Sequence, residues 1–414
     1  MKSFFLKDIE TNIIKSWENL INDINETKIF NPYCKSSDYY TIFKSIIISI
    51  LIDEKIILLD SDFSDEELIN LVGTSSFDKF YINLDFRMLN LCIDKEKLIK
   101  RLLENKEKWS LTLFTSGTTG LPKKVVHNFS SITRFVKVSQ NHMLDIWGFA
   151  YNPTHMAGLQ VFFQALLNGN SIVRLFGLNN NLIHEEIISN EVTNISATPT
   201  FYKLLLTNNI VFNSVKRITS GGEKFNKVLE DKIKNVFPNA KITNVYASTE
   251  AGSLFASEND IFTIRPEYFN LVKIENDELL IHASLIGGVD VIIDEWYNTG
   301  DIVYVMDRNP LKFHFVSRKT DVINVGGYKV NPIEVEEVIL SIEGVKDVRV
   351  FSKNNSVIGN IICCELVCHN NELTETYIRT FLKSKIQEFK IPRVIKFVEE
   401  LSITRSGKIN RRKI

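Results

Sequence analysis

Short helix-like and strand-like segments alternate through the middle of this chain. Residues 162–167 read as helix, 171–175 as extended, 182–189 as helix and 194–197 as extended. Pro199 then punctuates before a helix over 201–206. An extended piece at 217–219, a helix over 226–236 and an extended piece at 241–245 follow. Few architectures accept that order. A crossover helix brings each new strand back parallel to the last, so helices come to cover both faces of a mostly parallel sheet. Ligands of such sheets sit beyond the carboxyl ends of the strands. The segments just after these strands are therefore where chemistry is expected. Residues 1–110 show the same alternation: a helix over 39–51, a buried strand at 55–59, and a helix over 64–71 with Ser64 as its N-cap. No catalytic constellation falls in that leader.

The bulk numbers narrow the function. With 414 residues, the chain has room for two or three domains and a large core. A hydrophobic content of 44% with 24% charged residues reads as globular. The net charge of −1 argues against nucleic acid as a partner. Five cysteines, an odd number without a Cys-x-x-Cys pair, imply neither a disulfide framework nor a metal site. Cys363, Cys364 and Cys368 fall on or beside an apolar run at 361–367 and read as packing residues. The charged start over 1–10 lacks a signal-peptide core, and the apolar run at 46–52 is too short to span a bilayer. The expectation is a cytoplasmic protein with no membrane partner.

An apolar run at 111–114 leads into Phe114-Thr115-Ser116-Gly117-Thr118-Thr119-Gly120-Leu121-Pro122-Lys123-Lys124. Four hydroxyls, two glycines and two lysines fall within these eleven positions. Glycines let backbone N–H groups approach an anion closely. Hydroxyls bond phosphate oxygens, and a lysine adds a point charge. The stretch reads as a loop that holds nucleotide phosphates. It is not the common P-loop, because only two residues separate Gly117 from Gly120 and Pro122 precedes Lys123. A polar surface turn has a similar composition; the order of the complete run favours the functional reading. The run resembles the signature loop of the acyl-adenylate-forming superfamily, which holds acyl- and aryl-CoA ligases, adenylation domains of peptide synthetases and firefly luciferase.

Further segments carry the resemblance along the chain. Asn152-Pro153-Thr154-His155-Met156-Ala157-Gly158 is similar to a family segment whose histidine lies near the acyl pocket, which implies substrate contacts at His155 and Gly158. No aspartate occurs between 149 and 159, where amino-acid-activating members commonly carry one. Together with His155, Met156 and the Phe162-Phe163 pair, that absence favours an apolar or aromatic acid over an amino acid. Thr219-Ser220-Gly221-Gly222-Glu223 reads equally as a strand-to-helix turn and as the family's adenine-pocket segment, which implies Gly221, Gly222 and Glu223. Asn244-Val245-Tyr246-Ala247-Ser248-Thr249-Glu250 resembles the family's Tyr-Gly-x-Thr-Glu motif, with Ala247 where glycine is usual. The resemblance implies Tyr246 on the base, Thr249 on the α-phosphate and Glu250 on Mg²⁺. Without it, Thr249 and Glu250 would read as a helix N-cap region.

Tyr297-Asn298-Thr299-Gly300-Asp301 matches a family motif whose aspartate binds the ribose hydroxyls, here Asp301. Arg318 stands where the family places an arginine on ribose and phosphates, and Thr320 stands at the family's hinge position. Gly326 and Gly327 read as a hairpin turn; in the family this stretch lines the tunnel for a phosphopantetheine arm. Asn331-Pro332-Ile333-Glu334 reads as a helix start closed by a capping box, and a second helix is expected over 375–386. The basic end, Ser406-Gly407-Lys408-Ile409-Asn410-Arg411-Arg412, matches the family's terminal motif, whose lysine enters the site during adenylation.

The resemblance implies an α/β fold. A large N-terminal domain over 1–316, with mostly parallel layered sheets, flanking helices and a leader short for the family, would precede a small mobile α+β domain over 317–414. The implied enzyme is an AMP-forming acyl- or aryl-CoA ligase. It would take ATP with Mg²⁺ and a small carboxylic acid, and hand the acyl group to CoA or to a phosphopantetheine thiol. Thr115, Ser116, Gly117, Thr118, Thr119, Gly120 and Lys123 would hold the phosphates; Thr249, Glu250, Arg318 and Lys408 would serve catalysis. Three alternatives stand beside it: a ligase for an acyl carrier protein, a paralogue that only binds nucleotide, and a luciferase-like oxygenase.

Overall fold

The computed structural model describes residues 4–84, 94–104, 106–115, 123–206, 210–223, 225, 227–288, 292–325, 328–355, 359–369, 373–404 and 408–409. The chain divides into two compact units, 1–263 with 281–297 and 264–280 with 298–414.

The first unit is built on an eight-stranded sheet. Its strands are β1 (Phe4–Asp8), β2 (Ile13–Ser16), β9 (Ile146–Phe149), β10 (Ser171–Arg174), β11 (Asn194–Ala197), β12 (Arg217–Gly221), β13 (Lys241–Ser248) and β14 (Gly252–Ser257), in the order β14-β13-β12-β11-β9-β10-β1-β2. The six inner strands pair in parallel, and β2 and β14 pair antiparallel at the edges. Helices Met156–Leu167, Asn180–Ser189, Pro199–Leu205 and Lys227–Val236 are the crossovers between successive parallel strands. After β9 the chain steps one way to β10 and then returns past β9 to β11. The strand order therefore reverses at β9, where sheets of this type leave a crevice at the carboxyl ends.

A second sheet in the same unit has the order β4-β5-β7-β8, from Tyr33–Lys35, Ile56–Leu59, Ser110–Thr115 and Lys123–Asn128. Strands β7 and β8 pair antiparallel from Ser110↔Asn128 to Thr115↔Lys123, so the glycine-rich stretch connects their ends. The short pair β3 (Ile29–Phe30) and β6 (Ile82–Asn83) lies apart from both. The helix Tyr39–Leu51 is buried along nearly its whole length and starts at Asp38, which accepts from the amides of Tyr40 and Thr41. Phe43 on this helix stacks on Phe162 at 4.3 Å and meets the edge of Phe149 at 5.3 Å. Aromatic rings thus fill the core beneath the crevice, each burying a large apolar area. Strand β15 (Ile261–Thr263) ends the first long segment of this unit.

The second unit holds β16 (Val272–Glu275), β19 (Leu311–Arg318) and all but residues 281–282 and 296–297 of β17 (Glu278–His282) and β18 (Trp296–Arg308), which run antiparallel in the order β19-β18-β17-β16. Next comes the hairpin β20 (Ile323–Val325) and β21 (Tyr328–Val330). A three-stranded sheet of β22 (Val345–Asn355), β23 (Gly359–Cys368) and β24 (Val394–Phe397) completes it with helices Pro332–Leu340 and Glu375–Lys383. Cys363 and Cys364 are buried in β23 as packing residues, free of disulfides. Arg349 is fully buried and pairs with Glu365 at 2.7 Å.

Several expected starts are seen. Ser64 caps helix Asp65–Val72 in a capping box with Glu67, and Asn331 accepts from the Ile333 amide with Pro332 at the first position. Glu334, however, does not close a box: its carboxylate takes the Lys390 ammonium at 2.6 Å, an ion pair that outcompetes one more amide. The last helix ends at Lys383, short of 386.

Candidate active site

Three of the parallel strands, β9, β12 and β13, deliver expected residues at their carboxyl ends, with β11 lying between β9 and β12. Beyond β9, Asn152 to His155 turn into helix Met156–Leu167 with His155 at the N-cap position. Its Nε2 lies 3.2 Å from an Asp60 carboxylate oxygen. Asp60, just past β5, is 8% exposed and also accepts from the Thr154 hydroxyl and, at 3.4 Å, from Asn152 Nδ2. An aspartate therefore stands beside this segment although none occurs within 149–159. It comes from 95 positions upstream, and only a late carboxylate on an apolar strand could have drawn attention to it. Gly158 packs so closely on the preceding turn that a Cβ would lie 2.3 Å from the Asn152 carbonyl.

Beyond β12 come Gly221, Gly222 and Glu223. A Cβ at Gly221 would meet the Val245 carbonyl at 3.1 Å, and Gly222 adopts φ +82°, which favours glycine. The Glu223 carboxylate accepts from the amide and hydroxyl of Thr200, at 3.0 and 2.7 Å, in the first turn of helix Pro199–Leu205. A carboxylate is well placed there, against free amides and the positive end of the helix dipole.

Beyond β13 the chain does not enter a helix. Thr249 and Glu250 sit in a tight turn between β13 and β14, closed by the pair Ser248↔Gly252, so the N-cap alternative is wrong. Gly252 takes φ +68°, and Ser248 Oγ accepts from the Ala251 amide. Tyr246 is 9% exposed and packs against Phe255 and Phe262 at 5.7 and 6.3 Å. His127, on β8, bonds the Thr249 carbonyl through Nε2 at 2.8 Å. Burial pushes its pKa below the usual histidine value, against the opposing pull of that carbonyl. The return strand of the glycine-rich stretch is thereby tied to the turn that carries Thr249 and Glu250. His127 went unremarked in the sequence because its partner lies 122 positions away.

Thr115 and Lys123 are paired at the open end of the β7–β8 ladder, and the Lys123 side chain is exposed. Ser116, Gly117, Thr118, Thr119 and Gly120 lie outside the described residues, as do Gly326 and Gly327. The latter two connect Val325 to Tyr328, which are partners across the β20–β21 hairpin.

The second unit brings Asp301 and Arg318 together. They face each other across the β18–β19 ladder, and Arg318 Nε donates to the Asp301 carboxylate at 3.0 Å. Asp301 is 2% exposed, whereas half of the Arg318 side chain is open to solvent. The Thr299 hydroxyl donates to the Leu279 carbonyl and accepts from the Asp301 amide, and Gly300 takes φ +73°. The motif is therefore a stretch of sheet with locked backbone, not a solvated turn. Thr320 lies in the exposed turn after β19. The Lys408 carbonyl accepts from the Thr404 amide at 2.7 Å, beside the bridge Ile403↔Ile409.

No group of three metal-ligating side chains occurs among the described residues. The donor set still suits Mg²⁺, a hard cation usually held by one or two carboxylates together with substrate phosphates. Glu250, whose carbonyl is fixed by the Gly287 amide at 2.7 Å, offers one such carboxylate on a rigid turn. Among the described residues, no helix is long and apolar enough to cross a membrane.

Comparison with known proteins agrees with this layout. The chain is 27% identical over 338 residues to 2-succinylbenzoate–CoA ligase of Listeria monocytogenes serotype 4b, covering 74% of this chain and 71% of that one. It is 26% identical over 394 residues to 4-hydroxybutyrate–CoA ligase 1 of Metallosphaera sedula, covering 82% and 68%. Its fold matches o-succinylbenzoate CoA synthetase from Bacillus subtilis, solved with its acyl-adenylate intermediate, at a TM-score of 0.69 and 20% identity over 99% of this chain and 94% of that one. The profile for the C-terminal domain of AMP-binding enzymes matches residues 334–408. Since the profile for the AMP-binding enzymes themselves covers residues 53–271, from the strand before Asp60 through the Thr249–Glu250 turn, the chain belongs to the AMP-binding enzyme family.

Proposed function

We propose that this protein is an AMP-forming ligase that joins a small carboxylic acid to coenzyme A. The acid's carboxylate oxygen attacks the α-phosphorus of ATP, and pyrophosphate leaves to give an acyl-adenylate. The thiol then attacks the acyl carbonyl, and AMP leaves to give the thioester. The nucleophile of the first step is already ionised, so no general base is required. Positioning and charge neutralisation carry the rate. The observation that carries this reading is the Thr249–Glu250 turn, held at a strand end beside the hairpin whose connecting sequence resembles the family's phosphate loop.

The roles follow from chemistry. Ser116 to Lys123 would hold the leaving phosphates, Thr249 the α-phosphate, and Tyr246 with Gly221 and Gly222 the adenine. Glu223 would border the adenine pocket through its backbone, its carboxylate being committed to Thr200. Asp301 would accept from the ribose hydroxyls, with Arg318 neutralising it and reaching the phosphates. Glu250 would hold Mg²⁺, which when bound neutralises charge on the phosphate oxygens. His155 and Gly158 would border the acid, and Lys408, from a C-terminal domain over 317–414, would enter to stabilise the adenylation transition state. A swing about Thr320 would exchange Lys408 for Gly326 and Gly327, which would admit the pantetheine arm. A cytoplasmic location fits substrates of this kind.

The test is ATP–pyrophosphate exchange with Mg²⁺ against fatty, aryl, hydroxy and amino acids, followed by addition of CoA or a holo-carrier protein. Exchange with one acid class and thioester formation on CoA is the expected result. ATP binding without exchange for any acid would overturn the proposal. Loading of the carrier alone would move it to a carrier-protein ligase.

A further inference from the structure

The turn bearing Thr249 and Glu250 is gripped by groups that the mechanism above does not use. The His127 ring is 2% exposed, and its Nε2 stands 2.8 Å from the Thr249 carbonyl oxygen. A carbonyl only accepts, so Nε2 carries the proton. The other ring nitrogen lies 3.2 Å from Ser131 Oγ, which orients the imidazole from behind. The next carbonyl along, that of Glu250, accepts from the Gly287 amide at 2.7 Å. Gly287 also lies against the imidazole: a Cβ there would meet Cε1 at 2.7 Å and the Val126 carbonyl at 2.9 Å. Gly288 and Val126 exchange both backbone hydrogen bonds, at 2.7 and 3.2 Å. Two successive carbonyls of the turn are thus clamped, one by a ring on β8 and one by the segment bonded to β8. Strand β8 is also the strand by which the glycine-rich stretch returns.

We propose that His127 is a positioning residue of the adenylating site, its ring N–H holding the Thr249 peptide so that the Thr249 hydroxyl and Glu250 carboxylate stay aimed at the nucleotide phosphates. The inference rests on the ligase reading. Its physical basis is tolerance: groups that act on a transition state must be held within roughly 0.5 Å of their working positions, and a turn does not achieve that alone. Partners that orient a ligating group from behind typically cost about 10–100-fold when removed.

The experiment compares His127→Leu, which fills the space without a donor, with His127→Gln, whose amide can present an N–H where Nε2 stands. Gly287→Ala, which presses on the ring without removing it, is the third variant should His127→Leu not fold. Each is followed by hydrogen–deuterium exchange of peptides covering 248–252 and by ATP–pyrophosphate exchange at varied acid, ATP and Mg²⁺. The expected result for His127→Leu is faster amide exchange confined to the turn. Its kcat should fall about 10–100-fold, with little change in KM for the acid and a higher Mg²⁺ requirement. His127→Gln should recover most of both, and Gly287→Ala should move in the direction of His127→Leu. Wild-type kcat and turn protection in His127→Leu would overturn the proposal. Equal loss in His127→Leu and His127→Gln would also overturn it, by assigning the effect to packing. Absence of exchange in the wild-type protein with every acid would remove the ligase reading and this inference together, whereas a difference among variants of an active enzyme judges the inference alone.

Discussion

Burial sets the proton balance of His127. Its folded pKa lies below the usual histidine value, first because desolvation disfavours the cation. The unfolded chain therefore binds the proton first as pH falls through about 6.5. The sign follows: this group leaves stability unchanged above that pH and subtracts from it below, until the folded pKa is passed. Urea midpoints should therefore fall between pH 7.5 and 5.5, and less in His127→Gln than in wild type; an equal fall would place the titration elsewhere. Gly158 gives a steric prediction. With the Asn152 carbonyl 2.3 Å from a would-be Cβ, Gly158→Ala should cost about 1–3 kcal/mol by overpacking, read as a lowered urea midpoint at constant m. Residue types at these positions were legible in the sequence, but their pairings were not. Asp301 and Arg318 were both singled out, while the ion pair between them needed the β18–β19 register. Asp60 was not singled out, because nothing local marks a carboxylate as the partner of a histidine at a distant helix N-cap.

Among the elements, the helix Tyr39–Leu51 shows what local signals carry. Its bounds match the apolar spacing, and its first turn is closed by Asp38, which accepts from two amides. Asp38→Ala should cost about 1 kcal/mol through the lost cap, measured by denaturant unfolding, with no change in nucleotide binding. Strand Asn194–Ala197 and the Ser64 cap were equally legible. The helix Met156–Leu167 was not: it begins at Met156 where the pattern suggested 162. Apolar residues surround it, so no polar face marks its period, and Gly158 reads as a breaker although packing on Asn152 requires it. The Glu334 capping box failed for a related reason. A side chain that could satisfy a local amide was drawn to Lys390, 56 positions away.

At the scale of the whole molecule, two half-reactions imply two demands on one chain. Lys408→Ala should raise the adenylation barrier by about 3–4 kcal/mol, the usual loss for one preorganised donor, while a preformed acyl-adenylate still reacts with thiol. Gly327→Trp should do the reverse, leaving pyrophosphate exchange intact and slowing thioester formation. Rapid single-turnover assays of each step separate the two outcomes, and equal effects on both steps would sink the division of labour. The sequence alone determined the class of fold, because strand and helix periods are local and their alternation admits only a covered parallel sheet. The motif residues were legible as well, because their types and order carry the resemblance to the family. Tertiary structure alone decided which side chains meet. The reversal of strand order at β9, the seat of Thr249 and Glu250 in a hairpin turn, the Asp60–His155 pair and the His127 clamp all depend on register and crossover. Such contacts join residues about a hundred positions apart, and their energies depend on burial and geometry that no local pattern of residues encodes.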